Sequence, residues 1–109
     1  MALNISAGAR YKRFDFQVVT STSASETVFP TPTSATIKAV EAIFVQAYSQ
    51  NSGRICIGKT GVAADGSTGC WELAAGANMT LPVNDYASLF HKATAAGQKL
   101  FITYLESVV

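Results

Sequence analysis

The stretch from Ile37 to Tyr104 decides the fold, because short apolar runs alternate in it with residues that form turns. In order, it contains Asn51-Ser52-Gly53, Ile55-Cys56-Ile57-Gly58, Leu73-Ala74-Ala75-Gly76, Leu81-Pro82-Val83-Asn84 and Lys99-Leu100-Phe101-Ile102-Thr103-Tyr104. Asparagine and glycine tolerate the positive φ of a tight turn, and proline ends a strand because it lacks the amide donor. Turn signals that recur about every 8–12 residues predict an all-β sandwich or barrel.

Two local structures are expected within this stretch. The run from Ile37 to Ala47 is rich in β-branched and aromatic residues and predicts one long strand, bent near Glu41. The Asn-Ser-Gly turn predicts a hairpin that joins residues 44–48 to residues 54–58. The other predicted elements are short strands at 26–29, 70–73, 79–83 and 100–105, and turns at 84–91 and 93–98.

Two further segments precede this stretch. Residues 1–10 have only scattered apolar side chains and are predicted to form an extended N-terminal arm, with a frayed terminus as the alternative, so that the sandwich domain spans residues 11–109. Residues 11–20 alternate with period two, which predicts a half-buried strand whose core-facing side chains are Phe14, Phe16 and Val18.

Candidate partner contacts lie mainly in these first residues. Apolar residues of the arm could clasp a neighbouring molecule, and the basic run that follows could bind an acidic partner, although such a run is also typical of a solvated strand edge. Trp71 could form a stacking platform for a sugar, or could belong to the core or to a subunit interface. The candidate contact residues are Leu3, Ile5, Arg10, Tyr11, Lys12, Arg13 and Trp71.

Motifs that resemble nucleotide or metal sites are incomplete. The bare phosphate-loop pattern GxxxxGK[ST] is matched from Gly53 to Thr60, but Gly61 and the glycines after it argue against the helix that such a loop requires. Cys56 and Cys70 match no zinc spacing. They are interpreted as free thiols, with a disulfide across the intervening loop as the alternative.

Catalytic residues are not recognisable either. His91 is the only histidine, and its position beside Lys92 in a predicted surface turn is typical of a solvated side chain. The carboxylates are scattered, and no two are spaced to share a site. We therefore expect no enzymatic activity, no cofactor and no metal ion.

Composition limits the class of partner. The chain has 109 residues, as expected for one domain, and only 14% of them are charged, against about 25% in ordinary soluble domains. Such a surface favours burial against other subunits. The formal net charge of +1 argues against nucleic acid as a partner. No apolar run approaches the ~20 residues of a membrane span, and no secretory signal is recognisable, so we expect synthesis in a cytoplasm.

The turns and core positions of the opening stretch resemble those of small β-sandwich proteins of tailed-bacteriophage particles. The resemblance lies in five features that follow one another along the chain. They are an Asn-x-Gly turn, a strand that ends in glycine, a Leu-x-x-Gly turn, a Leu-Pro-Val strand, and an Ala-x-x-x-Gly-x-x-Leu segment that leads into the last strand. Here these are residues 51–53, 55–58, 73–76, 81–83 and 93–100.

This resemblance implies an antiparallel, jelly-roll-like β-sandwich that serves as a structural virion protein. The expected role is a capsid decoration, or cement, protein on the capsid surface, made in the host cytoplasm, bound to the major capsid protein or another virion protein, and trimeric. The alternatives are a head-fibre, neck or tail component, or a carbohydrate-binding module. The resemblance implies no catalytic residues.

Overall fold

The computed structural model describes residues 11–33, 35–81 and 83–107. In these ranges the chain forms eight strands. They are β1 (Tyr11–Ser21), β2 (Thr27–Val28), β3 (Ala42–Ala47), β4 (Ile55–Gly58), β5 (Trp71–Leu73), β6 (Asn78–Leu81), β7 (Phe90–Ala93) and β8 (Gln98–Ser107). One 3-10 turn, Tyr86–Ser88, lies between β6 and β7.

The strands form two four-stranded antiparallel sheets packed as a β-sandwich, which confirms the predicted fold class. The first sheet has the order β1-β8-β3-β6 and the second has the order β2-β7-β4-β5. The first strand therefore pairs with the last, the second with the seventh, the third with the sixth and the fourth with the fifth. This order is that of a long hairpin wound over on itself, which is the jelly-roll arrangement.

The core lies between the sheets and is built by strict alternation. Ile43 and Val45 of β3 and Ile102 of β8 point inward from the first sheet, while Ile55 and Ile57 of β4 face them from the second; all five are fully buried. Because the side-chain period of a strand is two, the residues between them lie on the outer faces of the sheets.

The predicted hairpin between residues 44–48 and 54–58 is wrong, because β3 and β4 belong to different sheets. The turn residues bond to a different strand instead. The Asn51 side chain donates to the Lys99 carbonyl and accepts the Lys99 N–H, both at 2.9 Å. The Gly53 N–H donates to Gln98 Oε1 at 2.8 Å. The connection is therefore a crossing from one sheet to the other.

Gly53 makes this crossing compact, which leads to a testable prediction. A Cβ at this position would lie 2.5 Å from Thr94 Oγ1, which already accepts the Arg54 N–H, and 3.3 Å from Ala95 Cβ. We expect Gly53→Ala to lower the free energy of unfolding by about 1–3 kcal/mol, because the contact displaces a bonded side chain. Urea denaturation measures the change. Ser49→Ala, an exposed substitution in the same crossing, is the control, and an equal effect of the two would contradict this account.

Two other predicted elements differ from the structure. The expected long strand is shorter, since β3 begins at Ala42; Ile37 is still buried in the core, but its N–H donates to the Thr33 carbonyl in a turn. Residues 90–93 form β7 in the middle of the second sheet rather than the predicted turns. Strands near 26–29, 70–73, 79–83 and 100–105 are confirmed.

Candidate interaction surfaces

The face of β1 that points toward solvent is apolar, opposite to the prediction. Phe14, Phe16 and Val18 are 55%, 69% and 63% exposed, whereas Asp15 between them is 9% exposed. The register explains this orientation, because Asp15 lies opposite Tyr104, whose side chain is fully buried in the core. The prediction that the apolar side chains of β1 face the core is therefore wrong.

Asp15 can face inward because its carboxylate is satisfied there. Its Oδ2 accepts a hydrogen bond from the Thr33 backbone N–H at 3.1 Å and from Gln17 Nε2 at 2.8 Å. A buried carboxylate without such partners would be strongly unfavourable. The loop between β2 and β3 thus supplies the donor that allows the polar side of β1 to be the inner one.

The apolar side chains of β1 continue across the outer face of the first sheet. Register places Phe14 beside Leu105, Phe16 beside Thr103 and Val18 beside Phe101. The Phe14 and Phe16 rings contact each other edge to face, with centroids 5.2 Å apart. On the next strand, Phe44 lies opposite Thr103. We call the exposed β1 side chains Phe14, Phe16 and Val18 the apolar stripe.

The outer face of the second sheet is different, because the loop between β4 and β5 covers part of it. Ile55 and Ile57 face the core, so Cys56 between them faces outward, yet it is fully buried. Its thiol donates to the Ala64 carbonyl of the loop at 3.3 Å. Among the residues whose burial the structure describes, large and strongly exposed apolar side chains in the middle of a long strand therefore occur only in the first sheet.

Cys56 and Cys70 are both free thiols in this structure. Burial raises the pKa of the Cys56 thiol to about 12, and its hydrogen bond with Cys70 contributes to the same effect. Cys56 is accordingly protonated at neutral pH, in the unreactive form of a thiol.

The structure describes some of the basic and arm residues that are predicted to contact a partner, and others lie outside the described residues. Arg13 forms an ion pair with Glu106 of its own chain, with Nη1 and Oε1 at 3.6 Å, and its side chain is 39% exposed. Tyr11 and Lys12 lie at the start of β1. Leu3, Ile5 and Arg10 lie outside the described residues. The arm and its contacts therefore stay predictions.

Trp71 lines an open cleft at one end of the sandwich. Its side chain is partly buried and packs against the core, and the cleft beside it has a volume of about 510 Å³. The lysine and hydroxyl side chains that line it are Lys59, Thr60, Thr68 and Ser88. Tyr86 lies in the 3-10 turn and packs edge to face on Tyr104, with ring centroids 5.7 Å apart.

The phosphate-loop pattern does not fold as a phosphate loop. Gly53 and Gly58 flank β4, and the residues that follow Lys59 and Thr60 are turns up to Gly69. The prediction that no helix follows Lys59 and Thr60 is confirmed, since residues 59–69 are all described and none is helical. Lys59 instead belongs to the cleft beside Trp71.

His91 is a core residue, which corrects the prediction of a solvated side chain. It lies on β7, is fully buried, and its Nδ1 is 2.8 Å from the Ser21 hydroxyl, which is fully buried too. Its ring packs edge to face on Phe29, with centroids 5.8 Å apart. Burial lowers the pKa of His91 to about 4, so the imidazole is neutral at physiological pH.

No group of three or more potential metal-binding side chains was found in the described ranges. No helix in the same ranges is long and apolar enough to cross a membrane. Comparisons with protein-family models, curated proteins and solved structures give no match for this chain.

The candidate contact residues predicted from the sequence omit the apolar stripe, because its side chains were assigned to the core. A signal for it was present in the order of the strands. In a jelly roll the first strand pairs with the last and lies at a sheet edge, where fewer neighbouring strands enclose its side chains.

Proposed function

We propose that this chain is a structural protein of a tailed-bacteriophage virion, and specifically a capsid decoration protein that binds the assembled shell and stabilises it. The observation that carries the proposal is the apolar stripe on the outer face of the first sheet. Jelly rolls also serve in viral capsids and in lectins, which supports the proposal by analogy of fold alone.

The stripe is large enough to form part of a docking surface. Its three side chains expose apolar area on the order of 300 Å², which is the size of the largest apolar patch on a typical soluble monomer, and such patches are often functional. Phe101 and Phe44 extend the same face toward the centre of the sheet. Burying this surface against a shell protein contributes roughly 25 cal/mol per Å² before the costs of association.

The mechanism we propose is mass action. A protein that binds the assembled shell more tightly than its free subunits shifts the equilibrium toward the shell. The partner is then the major capsid protein or another virion protein, the chain works as a homo-oligomer, and its location is the capsid surface. None of these steps needs a catalytic group or a cofactor.

Particles made without the protein test this function. A stop codon in its reading frame yields undecorated particles, and the temperature at which they release DNA is compared with that of complete particles. We expect release at a lower temperature without the protein and restoration when purified protein is added back. Equal release temperatures for all three samples would contradict a decoration role. Labelled protein seen at the neck, tail or a head fibre would favour those alternatives.

The cleft beside Trp71 supports a second candidate function, which is carbohydrate binding. An indole that lines an open cleft with a lysine and three hydroxyl side chains has the chemistry that a sugar requires. A glycan array probed with the labelled protein tests it. Binding that is lost on Lys59→Ala would support this function, and an array without bound glycans would count against it.

A further inference from the structure

The free edge of β1 differs from the other sheet edges. β1 has 11 residues, whereas the other edge strands, β2, β5 and β6, have 2, 3 and 4. Natural β-proteins keep edge strands short, or cover them, because an open edge pairs with other chains. Among residues 11–33, 35–81 and 83–107, no strand pairs with the second edge of β1.

The residues of the apolar stripe also direct their backbone groups to this edge. The Tyr48 N–H donates to the Lys99 carbonyl, so residues 99, 101, 103 and 105 of β8 bond toward β3 and the alternate residues bond toward β1. The partners of those alternate residues in β1 are Asp15, Gln17 and Val19. Phe14, Phe16 and Val18 therefore point their N–H and C=O groups away from β8.

We infer that β1 pairs antiparallel with β1 of a second copy of this chain, about a two-fold axis at Phe16. In this register Phe16 lies opposite the partner's Phe16, and Phe14 lies opposite the partner's Val18. Each of these residues points its backbone groups at the shared edge, so opposing residues form hydrogen-bonded pairs. The two four-stranded sheets then join into one.

Three features favour this register. Residue 16 is the midpoint of β1, so all 11 residues of each strand are paired. On the outer face, aromatic and β-branched side chains meet across the axis, a stabilising combination. On the inner face, Asp15 lies opposite the partner's Gln17, an acceptor opposite a donor. A shift of two residues in one direction places Asp15 opposite the partner's Asp15, and a shift in the other direction leaves residues 11 and 12 unpaired.

This pairing is independent of the proposed role on a capsid. It buries the strand edge and the sides of the stripe and brings two stripes together on one face of the joined sheet, so that face is still available to a shell protein. A two-fold contact closes at two copies. It therefore favours a dimer, where the sequence analysis favours a trimer.

Mass measurement on the full-length chain in the absence of any shell protein tests the inference. Light scattering coupled to gel filtration should give twice the monomer mass of 11.5 kDa. Phe16→Lys and Phe16→Glu place like charges opposite each other, so each should weaken dimerisation at least tenfold. An equimolar mixture of the two should restore the dimer, because only residue 16 faces itself across the axis. A wild-type mass of one or three copies, or no restoration in the mixture, would overturn the inference.

Three further variants test what occupies the edge. Val18→Pro removes an edge-facing N–H without removing a bond to β8, so it should weaken dimerisation at least tenfold, with folding checked by circular dichroism. Val28→Lys, an exposed substitution on β2, is the control and should remain a dimer. Undiminished dimerisation of Val18→Pro would show packing of the stripes face to face and overturn edge pairing. A chain that lacks residues 1–9 should still be a dimer. Loss of the dimer in this variant would assign the contact to the arm instead.

Discussion

Ile102→Ala should lower the free energy of unfolding by about 3–4 kcal/mol. Ile102 is fully buried at the centre of β8, the longest strand inside the first sheet, and lies between β1 and β3. Truncation of a buried isoleucine removes its transfer free energy and leaves a cavity that a sheet held on both sides closes poorly. Urea denaturation monitored by circular dichroism measures the change.

The matched control is a larger truncation on the outer face. Phe16→Ala removes more carbon atoms, yet Phe16 is 69% exposed, so its loss should change the unfolding free energy of the monomer by less than about 1 kcal/mol. The comparison is made at low protein concentration, where dimers do not contribute. A larger effect of Phe16→Ala than of Ile102→Ala would mean that β1 faces the core with its phenylalanines.

Acidification from pH 7 to pH 5 should destabilise the protein by about 2 kcal/mol through His91 alone. The folded-state pKa of about 4 lies below the ordinary value of 6.5, so the unfolded chain binds the proton first as the pH falls. The stability that the neutral imidazole provides is fully present above about pH 7 and is lost between pH 6.5 and pH 4. Unfolding free energies from urea titrations across this window measure the slope.

The control removes both members of the buried polar pair. Ser21→Ala/His91→Phe replaces two hydrogen-bonding partners with apolar side chains and keeps a ring against Phe29. Such a double change can be nearly neutral at pH 7. We expect the variant to lose less than half as much stability between pH 7 and pH 5 as the wild type. Equal losses would assign the pH dependence to the carboxylates instead of to His91.

The periodicity of β1 predicts a strand correctly but does not say which side is buried. Alternation of Phe14, Asp15, Phe16 and Gln17 is equally regular for either orientation. The choice depends on Thr33, 18 residues along the chain, whose N–H satisfies the Asp15 carboxylate. No local pattern contains that contact, so the surface that carries the proposed function was assigned to the core.

Other differences have the same physical origin. The run from Phe90 to Ala93 is short and contains His91 and Lys92, so it resembles a surface turn, yet β4 and Ser21 supply the backbone and side-chain partners that bury it. The Asn-Ser-Gly segment has ordinary hairpin residues, but its donors and acceptors are taken by residues 98 and 99 of β8. Core positions and the closing strand were predictable, because there the hydrophobic pattern alone determines the outcome.

Binding to undecorated shells tests the central claim, that the protein works as a virion subunit through the outer face of the first sheet. Purified wild type, Phe14→Ser and Val28→Ser are each titrated onto shells from stop-codon particles, and the bound copies per shell are counted after sedimentation. We expect saturable wild-type binding, at least tenfold weaker binding of Phe14→Ser, and no change for Val28→Ser, whose exposed side chain lies on the second sheet. Equal binding of all three proteins, or no binding of the wild type, would contradict the claim.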